Sequence, residues 1–464
     1  MTDQRAAITT EADPSAAPSP RTSSGLLRVL GVTFGLAILV GNTIGMGILR
    51  TPGEVAAQVP SAPLYMLVWV VGALYALLGA LTIAELSAMH PRSGGLYPLV
   101  HRALGPYFGF VSGWTDWIAT CCSMAAVAMV LAEYVQPLWP ALQGAEVLTA
   151  SIVIISFALL QWRGIRLGGG VQQITSLLKA IALIGLALVV FAFGRGSGAT
   201  APVNALAPSL PGGLALAGAV VIALQSVIFT YDGWTAPIYF AGEVRNPARD
   251  IPRSMIGGVL LVLAIYFALN LAFLQVVPIE DMAGDPFVAA TVAARMFGPD
   301  GDTALRGLMV VSLIAAAFAS LLMASRVPYA MSCDGLFPAI FRRVNAGGTP
   351  VPALLVGTAL GLGFISTNTF GSVLALLAFF FVANYVLAFA SLFVMRWREP
   401  NAPRPFRVPG YPWVPGLALL VSLIFLFAAI VGDRSNSLIA LLVLGLSLPA
   451  YGIMRWLKRP EAHS

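Results

Sequence analysis

A chain of 464 residues with 58% hydrophobic and only 10% charged side chains is not an ordinary soluble protein, in which about a quarter of residues are charged. The formal net charge of +6 invites an anionic partner such as nucleic acid. The arginines, however, lie in short connections between apolar runs rather than on one amphipathic face, so the pattern reads as membrane topology and not as nucleic-acid binding.

Residues 1–25 are rich in Ala, Ser, Thr and Pro, lack an apolar signal core, and are expected to form a disordered tail. Apolar spans then follow at 29–49, 64–89, 107–135, 147–162, 172–194, 214–240, 255–278, 305–330, 352–369, 371–396, 412–431 and 437–457. Twelve spans place both termini on one side. With the N-terminus inside, the inner connections carry 20 Lys and Arg against 5 outside, with Lys179 within a span. The bias predicts cytosolic termini, the last six residues (459–464) being a short C-terminal tail. The connection after the seventh span is acidic, with Glu280, Asp281, Asp285, Asp300 and Asp302, which suits the outer face. Cys121 and Cys122 lie within a span and Cys333 on the inner side, so neither a disulfide framework nor a disulfide-linked partner is expected. His90, His101 and His463 form no metal-ligand spacing, so neither a metal nor a cofactor is expected.

Two spans are interrupted. The first contains Gly41-Asn42-Thr43-Ile44-Gly45-Met46-Gly47-Ile48 and the sixth Phe229-Thr230-Tyr231-Asp232-Gly233-Trp234. Five spans separate them, so the first ten divide as five plus five, and an odd count inverts the second half relative to the first. Paired interruptions in inverted halves are the sequence signature of a transporter binding site. Where a helix restarts at Gly45, Met46, Gly47 and Ile48, unpaired N–H groups would receive a carboxylate. Where helices stop, the carbonyls of Thr43, Ile44, Phe229 and Thr230 would receive an ammonium. Together these complement the backbone of an α-amino acid. The competing account is that Gly41, Gly45 and Gly47 serve close helix packing. Asp232 beside Gly233 favours binding, because an intramembrane carboxylate needs a functional reason.

These residues resemble the amino acid–polyamine–organocation superfamily of permeases, and within it the L-type amino acid transporter branch. The first break is similar to the family's Gly-x-x-Ile-Gly-Ser-Gly-Ile. Ala84-Glu85-Leu86 with Pro91-Arg92-Ser93-Gly94-Gly95-Leu96-Tyr97 carries the second match. Tyr231-Asp232-Gly233-Trp234 leading into Gly242-Glu243-Val244-Arg245-Asn246-Pro247 and Ile251-Pro252 carries the third. The likeness runs over nearly the whole chain from about residue 26. It implies an all-α integral membrane protein with a 5+5 inverted repeat (LeuT-like) and two peripheral helices, giving a transporter domain over 26–458. Repeat one would cover about 29–194, repeat two about 214–396 and the peripheral helices about 412–457. It also implies amino acid uptake or exchange by alternating access in the plasma membrane. Met46 stands where the family more often has Ser, which puts the preferred substrate side chain in doubt.

Lys179 within the fifth span needs a partner or a route to water. It either snorkels to the inner end or, as the resemblance implies for sodium-independent members, sits where relatives bind an ion and bonds carbonyls near Gly41 or Asn42. Asp232 has three roles open to it: amine binder, proton carrier, or cap of a half-helix. Trp234 is a gate or a packing residue, and Tyr231 a pocket wall. Asp116 is expected to pair with an arginine, and Glu85 with a basic loop side chain. Gly168-Gly169-Gly170 lacks the lysine of a phosphate loop, and no nucleophile has a nearby base, so an enzyme is not expected. The reading is a sodium-independent amino acid transporter working by proton symport or exchange, with an amino acid, protons and membrane lipid as partners. The rivals are a polyamine or cationic amino acid carrier, and an amino-acid-sensing membrane receptor with little flux.

Overall fold

The computed structural model describes residues 26–45, 47–194, 210, 212–285, 287–367, 370–432 and 434–457. The expected terminal tails and Met46 lie outside these residues. Helices dominate, as they must where lipid offers the backbone no hydrogen-bond partner. In chain order they are α1 (Val32–Thr43), α2 (Gly47–Gln58), α3 (Ala62–Met89), α4 (Tyr97–Leu104), α5 (Pro106–Val135), α6 (Glu146–Trp162) and α7 (Ile165–Phe193). Then come α8 (Gly213–Thr230), α9 (Pro247–Val276), α10 (Ile279–Met282), α11 (Val288–Phe297), α12 (Pro299–Ala324) and α13 (Arg326–Cys333). The chain closes with α14 (Val351–Thr367), α15 (Phe370–Arg398), α16 (Trp413–Gly432) and α17 (Arg434–Leu457).

Eight of the described helices are long and apolar enough to cross a bilayer: α3, α5, α7, α9, α12 running into α13, α15, α16 and α17. The α1–α2 pair, bent by 47°, makes a ninth if taken as one span. Of the shorter apolar helices, α6, α8 and α14 fall on the three remaining expected spans.

The helices pack in interchangeable pairs. In the numbering of the expected spans, α2 packs on α8 (first on sixth), α3 on α9 (second on seventh), α5 on α12 (third on eighth) and α6 on α14 (fourth on ninth). Off-diagonal contacts match as well: α5 on α15 (third on tenth) mirrors α12 on α7 (eighth on fifth), and α1 on α9 (first on seventh) mirrors α8 on α3 (sixth on second).

The sixth span breaks within the stretch expected to interrupt it: α8 stops at Thr230, a turn follows, and Ala236–Glu243 continues as a 3₁₀ helix. Gly233, at φ +114°, sits in that turn in a conformation that side chains rarely adopt. The connection after the second span contains α4, and the one after the seventh contains α10 and α11. In the latter connection Asp285 accepts from the Phe287 N–H at 2.8 Å and the Thr291 hydroxyl at 2.5 Å, fixing the start of α11.

Candidate functional site

The first break opens where Ile44 leaves helical space (φ −77°, ψ 86°) after Gly41-Asn42-Thr43, residues with weak helix preference. The second opens at Tyr231–Thr235. The two breaks touch: a Cβ on Gly233 would lie 2.8 Å from Asn42 Nδ2 and Thr43 Oγ1, and 2.9 Å from the Thr43 nitrogen. One hydroxyl spans both, since Tyr266 on α9 lies 2.9 Å from the Thr43 carbonyl and 3.3 Å from that of Thr230. Thr51 on α2 and Thr230 share a 2.7 Å hydroxyl contact that ties the restarted first span to the end of α8.

Beside this junction lies a cavity of about 60 Å³. The breaks contribute Asn42, Thr43, Gly45, Gly47, Phe229, Thr230 and Asp232; α5 contributes Thr120 and Ser123; α12 contributes Ala316, Ser320 and Met323; α15 contributes Leu377 and Phe381. That is room for a few waters or one compact solute, within walls more apolar than polar. Thr43 Oγ1 is buried and has no hydrogen-bond partner. Asp232 accepts a short hydrogen bond from the Tyr385 hydroxyl of α15.

The cavity takes in only part of the expected set. Ile44 and Ile48 are buried in the core. Tyr231 packs edge-on to Trp69 at 6.1 Å and against Tyr266 at 5.0 Å. Trp234 lies against Tyr385 at 4.9 Å and stacks on Phe389 at 6.3 Å, with Gly79 backing its ring. Neither ring lines the cavity. Two glycines do serve packing: a Cβ on Gly41 would overlap Gln172 and Ser176 of α7, and one on Gly47 would press on Thr230. Gly45 faces open space, its nearest neighbour being Ala316 at 3.9 Å.

The expected free carbonyls are largely engaged. The Thr43 carbonyl accepts from Tyr266 and from the Gly45 N–H at 2.9 Å, and the Phe229 carbonyl from the Asp232 N–H at 3.0 Å. Ile44 accepts from Ser312 of α12 at 3.2 Å and, more closely, from Lys179. Lys179 also donates to the Gly41 carbonyl at 3.0 Å and is wholly buried, so it does not snorkel. Its ammonium sits at the negative end of α1, where a cation is favoured.

Asp116 is corrected more sharply. Its partner is the Tyr239 hydroxyl at 2.6 Å and not an arginine, and its second oxygen is buried without a partner. Sequence reasoning missed Tyr239, Tyr266 and Tyr385, because a tyrosine in an apolar run reads as core. Toward the arginine-rich end, Glu85 accepts from Arg396 at 2.8 and 2.7 Å, from Arg404 at 3.1 Å and from the Val408 N–H at 2.7 Å. Asp334, just past α13, would be pushed up by burial, but hydrogen bonds with His101, Arg92 and Tyr97 hold its carboxyl well below the usual range. Among the described residues no group of His, Cys, Asp or Glu is arranged to hold a metal ion.

Gly233 supplies a direct test of the junction. Gly233→Ala forces a side chain into left-handed backbone and into Asn42 and Thr43, at a cost of about 1–3 kcal/mol. Substrate uptake by this variant should be lost, while Gly45→Ala, which meets open space, should leave the protein folded. Normal uptake by Gly233→Ala in vesicles would show that the breaks do not need this contact.

The amino acid permease family profile matches residues 25–448. The serine/threonine exchanger SteT of Bacillus subtilis is 28% identical over 435 residues, covering 92% of this chain and 97% of that protein. The b(0,+)-type amino acid transporter 1 of Mus musculus is 28% identical, covering 89% and 84% respectively. The large neutral amino acids transporter small subunit 2 of Mus musculus is 27% identical, covering 84% and 75%. These relatives are transporters rather than enzymes, and the match spans both helix breaks and the cavity between them. The chain is a multi-pass membrane protein of the amino acid permease family.

Proposed function

We propose that this protein carries small neutral amino acids across the plasma membrane by alternating access, without sodium, through proton symport or exchange. The observation that carries the reading is the cavity at the junction of the two breaks, with the unpartnered Thr43 hydroxyl and the Asp232 carboxylate on its wall. The first N–H groups of α2 offer a carboxylate-binding end from Gly47 onward. Asp232, the one acidic residue among the described cavity-lining residues, receives the ammonium group or the coupling proton. The hydroxyls of Thr120, Ser123 and Ser320 and the small volume favour a short, polar or compact side chain. Similarity to a serine/threonine exchanger supports the same substrate range.

The proposed architecture is twelve spans in two inverted five-helix repeats, about 29–194 and about 214–396, with α16 and α17 peripheral and both termini cytosolic. The interchangeable packing pairs support the repeat, and the 20-to-5 division of basic residues supports the orientation. Lys179 takes the place of a bound cation beside α1, which supports sodium independence.

Counterflow in proteoliposomes tests the reading. Labelled serine, threonine or alanine should accumulate against unlabelled internal substrate, and replacing sodium by choline should leave the rate unchanged. No counterflow with any common amino acid would end the proposal. Asp232→Asn separates the two roles of that residue: a proton carrier loses its pH-dependent uptake, whereas an amine binder loses affinity at every pH.

A further inference from the structure

We infer that the cleft where α15 turns toward α16 is a binding site for the phosphate of an anionic phospholipid headgroup. It does not rest on the transport reading. The cleft has a volume of about 420 Å³ and is lined by Arg396, Trp397, Pro400, Arg404, Arg407 and Tyr411. Three guanidinium groups meet there, and the carboxylate bonded within the cluster is the buried Glu85. The local balance is positive.

The three arginines are not equivalent. Arg404 is held by Glu85 and by the carbonyls of Met395, Glu399, Pro400 and Ala402, so it contributes charge from a fixed position. Arg396 gives Nε and Nη2 to Glu85 and lies 4.2 Å from the centre of the Tyr411 ring. Arg407 is exposed and makes no hydrogen bond or ion pair among the described residues. A guanidinium fork open to an external ligand suits phosphate oxygens.

The surroundings select a lipid over a soluble anion. Trp397 and Trp413 are 81% and 76% exposed, as expected of indoles at headgroup depth. Below them α16 presents Leu417, Leu420 and Ile424 outward, giving acyl chains an apolar wall. Basic recesses at this depth attract anionic headgroups. A free phosphate would meet the charge but not the indoles or the leucines.

Native mass spectrometry of the full-length protein with added phosphatidylglycerol or phosphatidylcholine tests the assignment. Phosphatidylglycerol should be retained in preference to phosphatidylcholine, and Arg407→Gln should weaken its retention about five-fold. Trp397→Ala should also reduce retention, while Arg253→Gln, at an exposed arginine away from the cleft, should change nothing. Equal retention by Arg407→Gln and the unsubstituted protein would overturn the site. Displacement of the lipid by millimolar inorganic phosphate would assign the cleft to a soluble anion and overturn the lipid assignment.

Discussion

Replacing Lys179 with methionine is expected to cut amino acid transport by up to roughly 100-fold. The Lys179 ammonium donates to the carbonyls of Gly41 and Ile44, so it bonds the last helical turn before the first break and the first residue after it. Methionine fills similar space but donates nothing. Ser312 still reaches the Ile44 carbonyl at 3.2 Å, whereas the Gly41 carbonyl, at the negative end of α1, loses its counter-charge. A buried carbonyl left without its donor costs about 1–3 kcal/mol, and 3 kcal/mol displaces the competent geometry of the break by about two orders of magnitude. Lys179→Arg should not restore function: a planar fork is bulkier than an ammonium, and α7 already packs against Gly41 through Gln172 and Ser176. Counterflow in proteoliposomes reads all three proteins. A methionine variant that exchanges at the normal rate would remove Lys179 from the mechanism, leaving the site between the breaks intact.

The glycines and Asp232 made both breaks legible in the sequence, because each conflicts with an uninterrupted apolar helix. Lys179 was legible for the same reason, since a lone ammonium in such a run needs acceptors. What could not be read was direction. Whether Gly41 faces a ligand or a neighbouring helix depends on where α7 lies, and one chain's local pattern does not contain that. The tyrosines were hidden for a related reason: Tyr266 and Tyr385 are apolar bodies with one polar atom, and only the fold shows that atom meeting a break or a carboxylate. Asp116 misled because charge complementarity suggested an arginine, whereas burial brought a phenol instead. Arg326 falls among the 20 basic residues assigned to the inner connections, yet it is among the largest fully buried side chains. Counting charges by span assumes that a basic residue at a helix end reaches water, and that assumption fails when the end is covered.

Arg326 leads to the largest expected loss of stability. At the junction of α12 and α13 it gives Nε and Nη2 to the two oxygens of Glu243, at 3.2 and 3.3 Å, with side-chain exposures of 1% and 0%. Nη1 reaches the Leu322 carbonyl at 3.1 Å and Ser325 at 2.8 Å, and the guanidinium lies 4.9 Å from the centre of the Phe240 ring. Breaking such a pair from one side leaves a buried charge alone, so Arg326→Met should lower stability by about 3–5 kcal/mol. The double variant Glu243→Leu with Arg326→Met removes both charges and should recover most of that loss, since apolar replacement of a whole buried pair is often neutral. Transport should not recover with it. The Glu243 carbonyl accepts from the Val29 and Leu30 N–H groups at 3.1 and 3.0 Å, and the Leu30 carbonyl from the Arg245 N–H at 2.9 Å. The pair therefore fixes α12 to the 3₁₀ segment Ala236–Glu243, which anchors the chain entering α1, and in the proposed alternating-access cycle opening of the arginine-rich end would separate these parts and rejoin them in register. A leucine–methionine contact holds them together without specifying how they meet. Thermal inactivation in detergent and counterflow in vesicles, measured on the same three proteins, separate the two effects. If the double variant regains both stability and normal exchange, the ion pair is packing alone; stability regained without exchange assigns it to closure of that end.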